Sequence, residues 1–299
     1  MSRVLVTGGA GFIGREACRV LADAGHVVDV CDLPAGLSRG FREMDKRFNL
    51  LIVRGYEEIS VELLQYYDFV VHCAAICDTR HPYEHELWKV NYEDLAFFAT
   101  QLRSPRLIFI SSAAVYGDLP CTEDTAAFDP QTVYAMTKLA AERSLEYIFS
   151  GDPRQYLVLR PFNVYGSTEH TKAEGTRSFV YRLCDAKRPG AAMGVHSLDA
   201  RRDFVHVRDV AEAIGRLVDS WPSDRESRVL NVGTGTSTSI RNVVDMADHS
   251  NIVSIPNPHG SAYQSTSCAH FSDDTLGFLR DRVLDRTAVQ EICRAMRPR

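Results

Sequence analysis

The sequence predicts an α/β protein with a doubly wound parallel sheet, and two observations lead to that fold class. Strand-length apolar runs alternate with helix-length segments through the first 160 residues, which is the rhythm of repeated βαβ units. A glycine-rich turn follows the first apolar run and opens the first helical segment. The apolar runs lie at 3–7, 27–31, 50–53, 69–73, 106–110 and 156–160. The predicted helices lie at about 12–24, 84–102 and 132–150.

The pattern changes after residue 160. Two polar loops, Gly166 to Gly175 and Pro189 to Ala200, precede a short helix near 208–220 and a strand at 229–232. We therefore expect a smaller, partly interleaved C-terminal domain that binds the substrate. The predicted division is 1–165 with 203–235 for the first domain, and 166–202 with 236–299 for the second.

Composition and charge narrow the function classes. With 299 residues, 45% hydrophobic and 24% charged, the chain has an ordinary globular composition and is long enough to bury a large core. Its net charge of −5 provides no basic field for nucleic acid or an anionic membrane, and no apolar run has the length of a membrane span. The sequence starts in a core strand without a signal peptide, so we expect a cytoplasmic protein that takes a small ligand.

The eight cysteines are scattered through the chain, with no C-x-x-C pair. Several lie inside apolar strands, where cysteine behaves as a small hydrophobic residue. The spacing therefore predicts neither a metal site nor a disulfide framework.

The glycine-rich turn predicts a phosphate site. Its glycines permit a tight turn and let backbone N–H groups approach a pyrophosphate at the positive end of the helix dipole. The residues expected at the dinucleotide are Gly8, Gly11, Phe12, Ile13 and Gly14.

An acidic residue ends the second strand, where a dinucleotide-binding fold needs one. Asp32 lies 18 residues after Gly14, at the distance from which a carboxylate accepts hydrogen bonds from an adenosine ribose. The pattern therefore predicts a Rossmann-type dinucleotide site. Asp32 repels a 2′-phosphate and favours NAD, whereas Arg39 in the following loop could pair with that phosphate and keeps NADP open.

Three further residues form a candidate acid/base set. Tyr134 and Lys138 are four residues apart, so both side chains lie on one helix face. An ammonium group beside a phenol favours the phenolate, so we expect Lys138 to lower the pKa of Tyr134 toward the working range. Ser112, at the end of the strand 106–110, can hydrogen-bond the reacting oxygen.

With these residues in place, the chain resembles the extended short-chain dehydrogenase/reductase family, whose members are mostly nucleotide-sugar epimerases and dehydratases. The resemblance spans nearly the whole chain and also rests on His72-Cys73-Ala74-Ala75, on Asn91, on the segment Leu159 to Gly166 and on the segment Arg202 to Val210. It implies cofactor contacts at Ala74, Ala75, Asn91, Tyr134, Lys138 and Val164. It also implies that Asn163 touches the substrate diphosphate, that Arg202 helps to clamp the nucleotide and that Ser112 binds the sugar.

Two comparisons of motifs indicate which activity within the family the chain is expected to have. Family dehydratases carry an acidic pair after the serine or threonine, whereas this chain has Ala113-Ala114, so dehydration is not expected. The segment after Asn163 is similar to that of the ADP-glyceromanno-heptose 6-epimerases, and in that resemblance Lys172 is a second acid/base. The same resemblance implies substrate contacts at Arg182, His196, Ser197 and Tyr263. The chain departs from those epimerases at two places. Their histidine-lysine-glycine run reads Thr171-Lys172-Ala173 here, and one residue is inserted before Ser178.

These features support several readings of the function. The leading one is an NAD(P)-dependent nucleotide-sugar epimerase with two bases, Tyr134 and Lys172, acting on an activated heptose. A UDP-hexose 4-epimerase with one base, Tyr134, is the alternative, followed by a nucleotide-sugar reductase and by a non-catalytic NAD-binding regulatory protein. We expect a homodimer or higher homo-oligomer, because helices at 84–102 and 132–150 form the interface in many family members, although their apolar faces also suit a core.

Overall fold

The computed structural model describes residues 1–36, 47–79, 81–152, 155–171, 176–186, 192–222, 228–248, 251–256, 266–271 and 274–296. Within these residues the largest sheet has seven parallel strands in the order β10-β6-β5-β4-β1-β2-β3. The strands are β1 Arg3–Thr7, β2 Val27–Asp32, β3 Asn49–Ile52, β4 Phe69–His72, β5 Arg106–Ile110, β6 Tyr156–Pro161 and β10 Val229–Val232. The doubly wound parallel sheet predicted from the sequence is confirmed.

Helices cover both faces of this sheet, which is why its central strands are apolar on both sides. One face packs against α1 (Phe12–Asp23) and α7 (Val207–Asp219), which bury Leu21 and Ile214. The other face packs against a short α2 (Val61–Leu64) and two longer helices described next. All six strand runs and the helix near 208–220 are present, with ends that differ from the predicted ones by a residue or two.

The second predicted helix is interrupted. It consists of α3 (Glu84–Trp88), a single π-helical turn at Lys89–Glu93, and α4 (Asp94–Gln101). The third predicted helix, α5, is continuous over Val133–Ile148 and starts at Thr132, whose hydroxyl accepts a hydrogen bond from the N–H of Ala135. Periodicity alone does not separate a π turn from an α-helix, because the apolar face continues across it.

The remaining strands form two smaller sheets. Strand β9 (Arg201–His206) pairs with β7 (Asn163–Tyr165), β11 (Ser237–Ser239) and β13 (Thr266–Ser267). Strand β8 (Met193–Val195) pairs with β12 (Ile252–Ser254), so the segment Pro189 to Ala200, predicted as a loop, contains a strand. The helices here are α6 Phe179–Asp185, α8 Ile240–Met246 and α9 Arg286–Ala295.

A disulfide between Cys184 and Cys293 corrects the expectation that the cysteines are unpaired. The two residues are 109 positions apart in sequence, and their Cα atoms are 4.8 Å apart because α6 packs against α9 in the apolar core of this region. Sequence spacing carries no signal for such a pair, since the packing of the two helices creates it. Among the described helices, none is both long and apolar enough to cross a membrane.

Candidate active site

The glycine turn lies at the carboxyl end of the central strand β1 and against the loop after β4. Gly8 has φ +64°, and a Cβ there would come 2.5 Å from the backbone nitrogen of Ala74. The turn is closed by a hydrogen bond from the N–H of Gly11 to the carbonyl of Gly8, 3.0 Å long. Gly11 is the N-cap of α1 and has no side chain to satisfy the first N–H groups of the helix. The turn therefore presents backbone donors at a helix N-terminus, which fits a pyrophosphate.

Asp32 ends β2 beside this turn. Its carboxylate accepts hydrogen bonds from the N–H of Ala10 at 2.9 Å and from the N–H of Leu33 at 2.8 Å. Asp32 therefore joins the end of β2 to the glycine turn, whereas its contact with a ribose stays a prediction. Arg39, predicted as a partner for a 2′-phosphate, lies outside the described residues.

The loop after β4, with Ala74 and Ala75, is fastened by Asn91. The Asn91 side chain accepts from the N–H of Ile76 at 2.8 Å and donates to the carbonyl of Ile76 at 3.0 Å and to Thr137 at 3.3 Å. Asn91 is 1% exposed and belongs to the π turn, which brings it between the loop and α5. These contacts give Asn91 a role in holding the loop, whereas a direct contact with the cofactor stays a prediction.

The predicted acid/base residues come together where β5 ends and α5 begins. Ser112 starts a 3₁₀ turn, Ala113–Tyr116, and its Oγ accepts from the N–H of Ala114 at 3.1 Å. The Tyr134 phenol lies near the hydroxyl of Ser112 and the thiol of Cys77, and both groups act on its pKa. Cys77 is exposed at the end of the loop from β4. The sequence analysis missed Cys77, because one cysteine in a loop has no pattern around it.

Lys138 is buried one helical turn beyond Tyr134. Its ammonium group donates to the carbonyl of Ile110 at 2.9 Å and lies 4.8 Å from the ring centre of Phe109. Burial lowers the Lys138 pKa, while Cys77, Cys73 and Glu142 act in the opposite direction. The lysine is thus attached to the end of β5, directly before the serines.

The electrostatics of Tyr134 correct one expectation. Burial raises the pKa of Tyr134 well above its ordinary value, and Cys77 acts in the same direction, while the nearby Ser112 hydroxyl opposes both. We expected Lys138 to lower this pKa. Desolvation of the phenolate is the larger effect in the protein alone, because taking a charge from water into a buried position is costly.

The residues assigned to the diphosphate and nucleotide lie on neighbouring strands. The amide of Asn163 on β7 donates to the carbonyl of Asp203 on β9 at 2.9 Å, and Val164 pairs with Val205. Arg202 on β9 is 9% exposed and donates to the carbonyl of Arg201 at 2.7 Å. Asn163 and Arg202 therefore share one sheet.

The other predicted substrate residues are more dispersed. His196 and Ser197 follow β8, where the His196 ring contacts the carbonyl of Pro256 at 2.8 Å and Ser197 accepts from the N–H of Ala200 at 3.2 Å. Arg182 is an exposed residue of α6. Lys172 and Tyr263 lie outside the described residues. The described part of the chain contains no cluster of three metal-ligating side chains.

A cavity of about 400 Å³ lies on the outer side of α5, next to the β10 edge of the sheet. Charged residues of both signs line it, among them Asp124, Glu146, Arg143 and Arg228. Neither Ser112 nor Tyr134 lines it, so this cavity is separate from the acid/base set.

Comparison with known proteins agrees with this geometry. The chain belongs to the NAD dependent epimerase/dehydratase family, whose model matches residues 4–233. It is 29% identical over 264 residues to a UDP-glucose 4-epimerase of Corynebacterium glutamicum, covering 82% of this chain and 79% of the relative.

Two further proteins illustrate the range of similarity. An ADP-L-glycero-D-manno-heptose-6-epimerase of Brachyspira hyodysenteriae is 28% identical over 254 residues, covering 79% of this chain and 77% of the relative. The structure of the UDP-glucose 4-epimerase of Thermus thermophilus in complex with NAD superposes with a TM-score of 0.79 at 26% identity, covering 98% of each chain. Both a UDP-glucose epimerase and an ADP-heptose epimerase are thus similar to this chain.

Proposed function

We propose that this protein is an NAD-dependent epimerase that inverts C4 of a UDP-hexose. The observation that carries the proposal is the meeting of Ser112, Tyr134 and Lys138 at the end of β5, beside the glycine turn. One acid/base tyrosine is sufficient for this reaction if the sugar turns about its diphosphate between the two half-reactions. Similarity to UDP-glucose 4-epimerases supports the choice of UDP-hexose.

The residues around the glycine turn fit NAD. The turn at the start of α1 has backbone N–H groups without a side-chain cap, which suits a pyrophosphate, and Asp32 beside this turn would accept from an unphosphorylated ribose. A negative charge at Asp32 disfavours the 2′-phosphate of NADP. Bound NAD would take a hydride from the sugar carbon and return it to the opposite face.

Within this scheme each side chain of the set has a separate task. Tyr134 accepts the proton of the sugar hydroxyl during oxidation and gives it back during reduction. Ser112 can hydrogen-bond the same sugar oxygen, since its Oγ uses only an acceptor position on the N–H of Ala114. The ammonium group of Lys138 donates to the carbonyl of Ile110 and so joins the helix that carries Tyr134 to the strand end directly before Ser111 and Ser112.

Epimerisation of an ADP-heptose at C6 is the second candidate. It is supported by the heptose epimerase relative and by Lys172, which occupies the position of a second base in that resemblance. In a two-base mechanism Lys172 serves the face of the ketone that Tyr134 does not reach. Replacing Lys172 would then stop inversion of the sugar carbon while leaving hydride transfer at the face that Tyr134 serves.

One experiment separates the two candidates. We expect the purified protein with NAD to interconvert UDP-glucose and UDP-galactose, and Lys172→Met to keep this rate within about threefold because no second base is used. Lys187→Met is the matched control, since it removes another of the five lysines. If the protein turns over ADP-heptose but no UDP-hexose, and Lys172→Met lowers that rate about 100-fold, the protein is an ADP-heptose epimerase instead. NAD binding without turnover of any nucleotide sugar would favour a regulatory protein.

We also propose a homodimer in which α4 and α5 face their copies. Phe97 on α4 is 48% exposed and Met136 on α5 is 43% exposed, so each helix has a large apolar side chain that a second copy could cover. A pair of serine substitutions, Phe97→Ser with Met136→Ser, should convert a dimer to a monomer in light-scattering measurements. A parent protein that is monomeric at micromolar concentration would contradict the proposal.

A further inference from the structure

A buried ion pair lies beneath the acid/base set and plays no part in the proposed chemistry. Arg160 on β6 donates to both carboxylate oxygens of Glu142 on α5, at 3.0 Å from Nε and 2.5 Å from Nη2. The two side chains are 2% and 5% exposed. A buried ion pair is seldom an efficient way to stabilise a fold, because desolvation offsets much of the attraction. Its position therefore calls for another explanation.

The ion pair is attached to both ends of the turn that carries Ser112. At one end, the hydroxyl of Ser111 donates to Glu142. At the other end, Tyr116 closes the turn and its hydroxyl accepts from Nη1 of Arg160 at 2.8 Å. Ser112 lies between these two attachments.

Tyr116 is in turn anchored to the far edge of the sheet. Its hydroxyl donates to the side-chain oxygen of Asn231 on β10 at 2.8 Å. The Asn231 amide donates to the carbonyls of Cys121 and His270 at 2.9 and 2.8 Å. The chain of contacts thus joins α5, the Ser112 turn, β6 and β10. Its central side chains, Glu142, Arg160, Tyr116 and Asn231, are buried.

The same ion pair also fixes the helix that carries the other two residues of the set. Tyr134, Lys138 and Glu142 are spaced by four residues on one face of α5. We propose that Glu142, held by Arg160, is a positioning residue that sets the alignment of Ser112 with Tyr134 by joining Ser111 to α5. This inference rests on the proposed acid/base role of Ser112 and Tyr134.

Alignment of this kind has a large effect on rate. A displacement of about 1 Å in a reacting group can reduce the rate by on the order of 100-fold, because proton transfer requires hydrogen-bond geometry. Glu142 also places negative charge near Lys138 and raises the Lys138 pKa against the effect of burial. Loss of that charge should make Lys138 lose its proton at a lower pH.

The kinetic test uses substitutions at the link and a control on the same helix. Ser111→Ala removes the hydroxyl that binds Glu142, and we expect kcat to fall about tenfold or more while KM and NAD affinity change less than threefold. Ser111→Thr restores a hydroxyl and should recover most of kcat. Glu146→Gln, one turn after Glu142 and paired with exposed Arg143, should leave kcat unchanged. Unchanged kcat in Ser111→Ala, or no recovery in Ser111→Thr, would overturn the proposal.

A second measurement does not depend on turnover. In protein labelled with ¹³C at lysine, the ε-carbon of Lys138 can be assigned among the five lysines by comparison with Lys138→Arg. Glu142→Gln should lower the midpoint of its titration and move the alkaline limb of kcat to lower pH, whereas Glu146→Gln should move neither. An unmoved Lys138 midpoint contradicts the charge effect of Glu142. If the parent turns over no nucleotide sugar, the proposed function fails, while this titration still reports whether Glu142 acts on Lys138.

Discussion

Two regions of the molecule hold a buried carboxylate by different means. Beside the main sheet, the carboxylate of Glu142 on α5 forms an ion pair with the guanidinium group of Arg160 on β6. In the smaller sheet, Asp203 on β9 is 0% exposed and accepts from the N–H groups of Thr234, Gly235 and Ala269 at 2.9 to 3.1 Å. These donors are neutral, and burial raises the Asp203 pKa while its hydrogen bonds oppose that rise.

The difference indicates that the two carboxylates serve separate functions, one near the acid/base set and one near the predicted nucleotide site. The ion pair joins β6 to the helix that carries Tyr134, and it contacts Ser111 and Tyr116 on either side of Ser112. Asp203, in contrast, accepts hydrogen bonds from loops next to the strand that carries Arg202. We therefore expect changes in the main sheet to alter kcat and changes around β9 to alter KM for the nucleotide sugar. The following predictions test that division, beginning with the largest effect.

Removal of the phenol oxygen should have the largest effect. Tyr134→Phe deletes the acid/base hydroxyl and keeps the ring, so we expect kcat to fall roughly 10²- to 10⁴-fold with the fold and NAD affinity retained. Tyr147→Phe is the control, because Tyr147 lies on the same helix and is 83% exposed. Steady-state kinetics and NAD titration measure both quantities. Activity within about threefold of the parent would remove Tyr134 from the proposed mechanism.

The disulfide should contribute to stability without affecting chemistry. Cys184→Ser opens a loop of 109 residues, and we expect the free energy of unfolding to fall by about 2 to 4 kcal/mol under oxidising conditions. Cys293→Ser and the double variant should match it, since all three lack the same bond. Denaturation with and without a reducing agent measures the effect. A parent whose stability is unaffected by the reductant would show that the bond contributes nothing.

Asp203→Asn tests the region of β9. The asparagine amide would put an N–H donor in the place of a carboxylate oxygen that now accepts from two backbone N–H groups. We therefore expect the free energy of unfolding to fall by about 2 kcal/mol. KM for the nucleotide sugar should rise about tenfold while kcat stays within about threefold, because the loops beside Arg202 move and the acid/base set does not. Asp199→Asn, at an exposed residue paired with Arg241, is the control. A fall in kcat with unchanged KM would contradict the division between the regions.

The smallest predicted effect concerns the choice of cofactor. Asp32→Ala removes a negative charge beside the ribose site, so the ratio of NAD to NADP affinity should fall about tenfold, or ~1.4 kcal/mol. Asp32→Asn keeps an acceptor for the N–H of Ala10 and separates loss of charge from loss of turn geometry. Isothermal titration with both dinucleotides measures the ratio. The same ratio in parent and variants would assign the selection to another residue.

The main sheet was predictable from the sequence because its central strands are buried on both faces. Runs such as Phe69–His72 and Tyr156–Pro161 are therefore largely apolar, and helices of three turns or more separate several of them. Arg160 is a charge inside such a run, and Glu142 follows Lys138 by one turn. Both were visible signals of a buried ion pair that the sequence analysis did not use.

The second region was less predictable for physical reasons. Strands of two or three residues, such as Met193–Val195 and Thr266–Ser267, are too short to display a period. The Cys184–Cys293 pair and the contact between Asn163 and Asp203 depend on tertiary packing. The pKa direction of Tyr134 was wrong because the helix spacing indicates a neighbouring lysine but not the depth of burial.

The most direct test of the central claim follows the hydrogen at the inverted carbon. The protein would be incubated with NAD and with UDP-glucose carrying deuterium at C4, in ordinary water, and the UDP-galactose formed would be examined by mass spectrometry and NMR. We predict that the product keeps its deuterium at C4, because the hydride is removed and returned within one bound complex, and that Tyr134→Phe forms almost none. Product that has exchanged deuterium for solvent hydrogen, or no inverted product, would contradict the account.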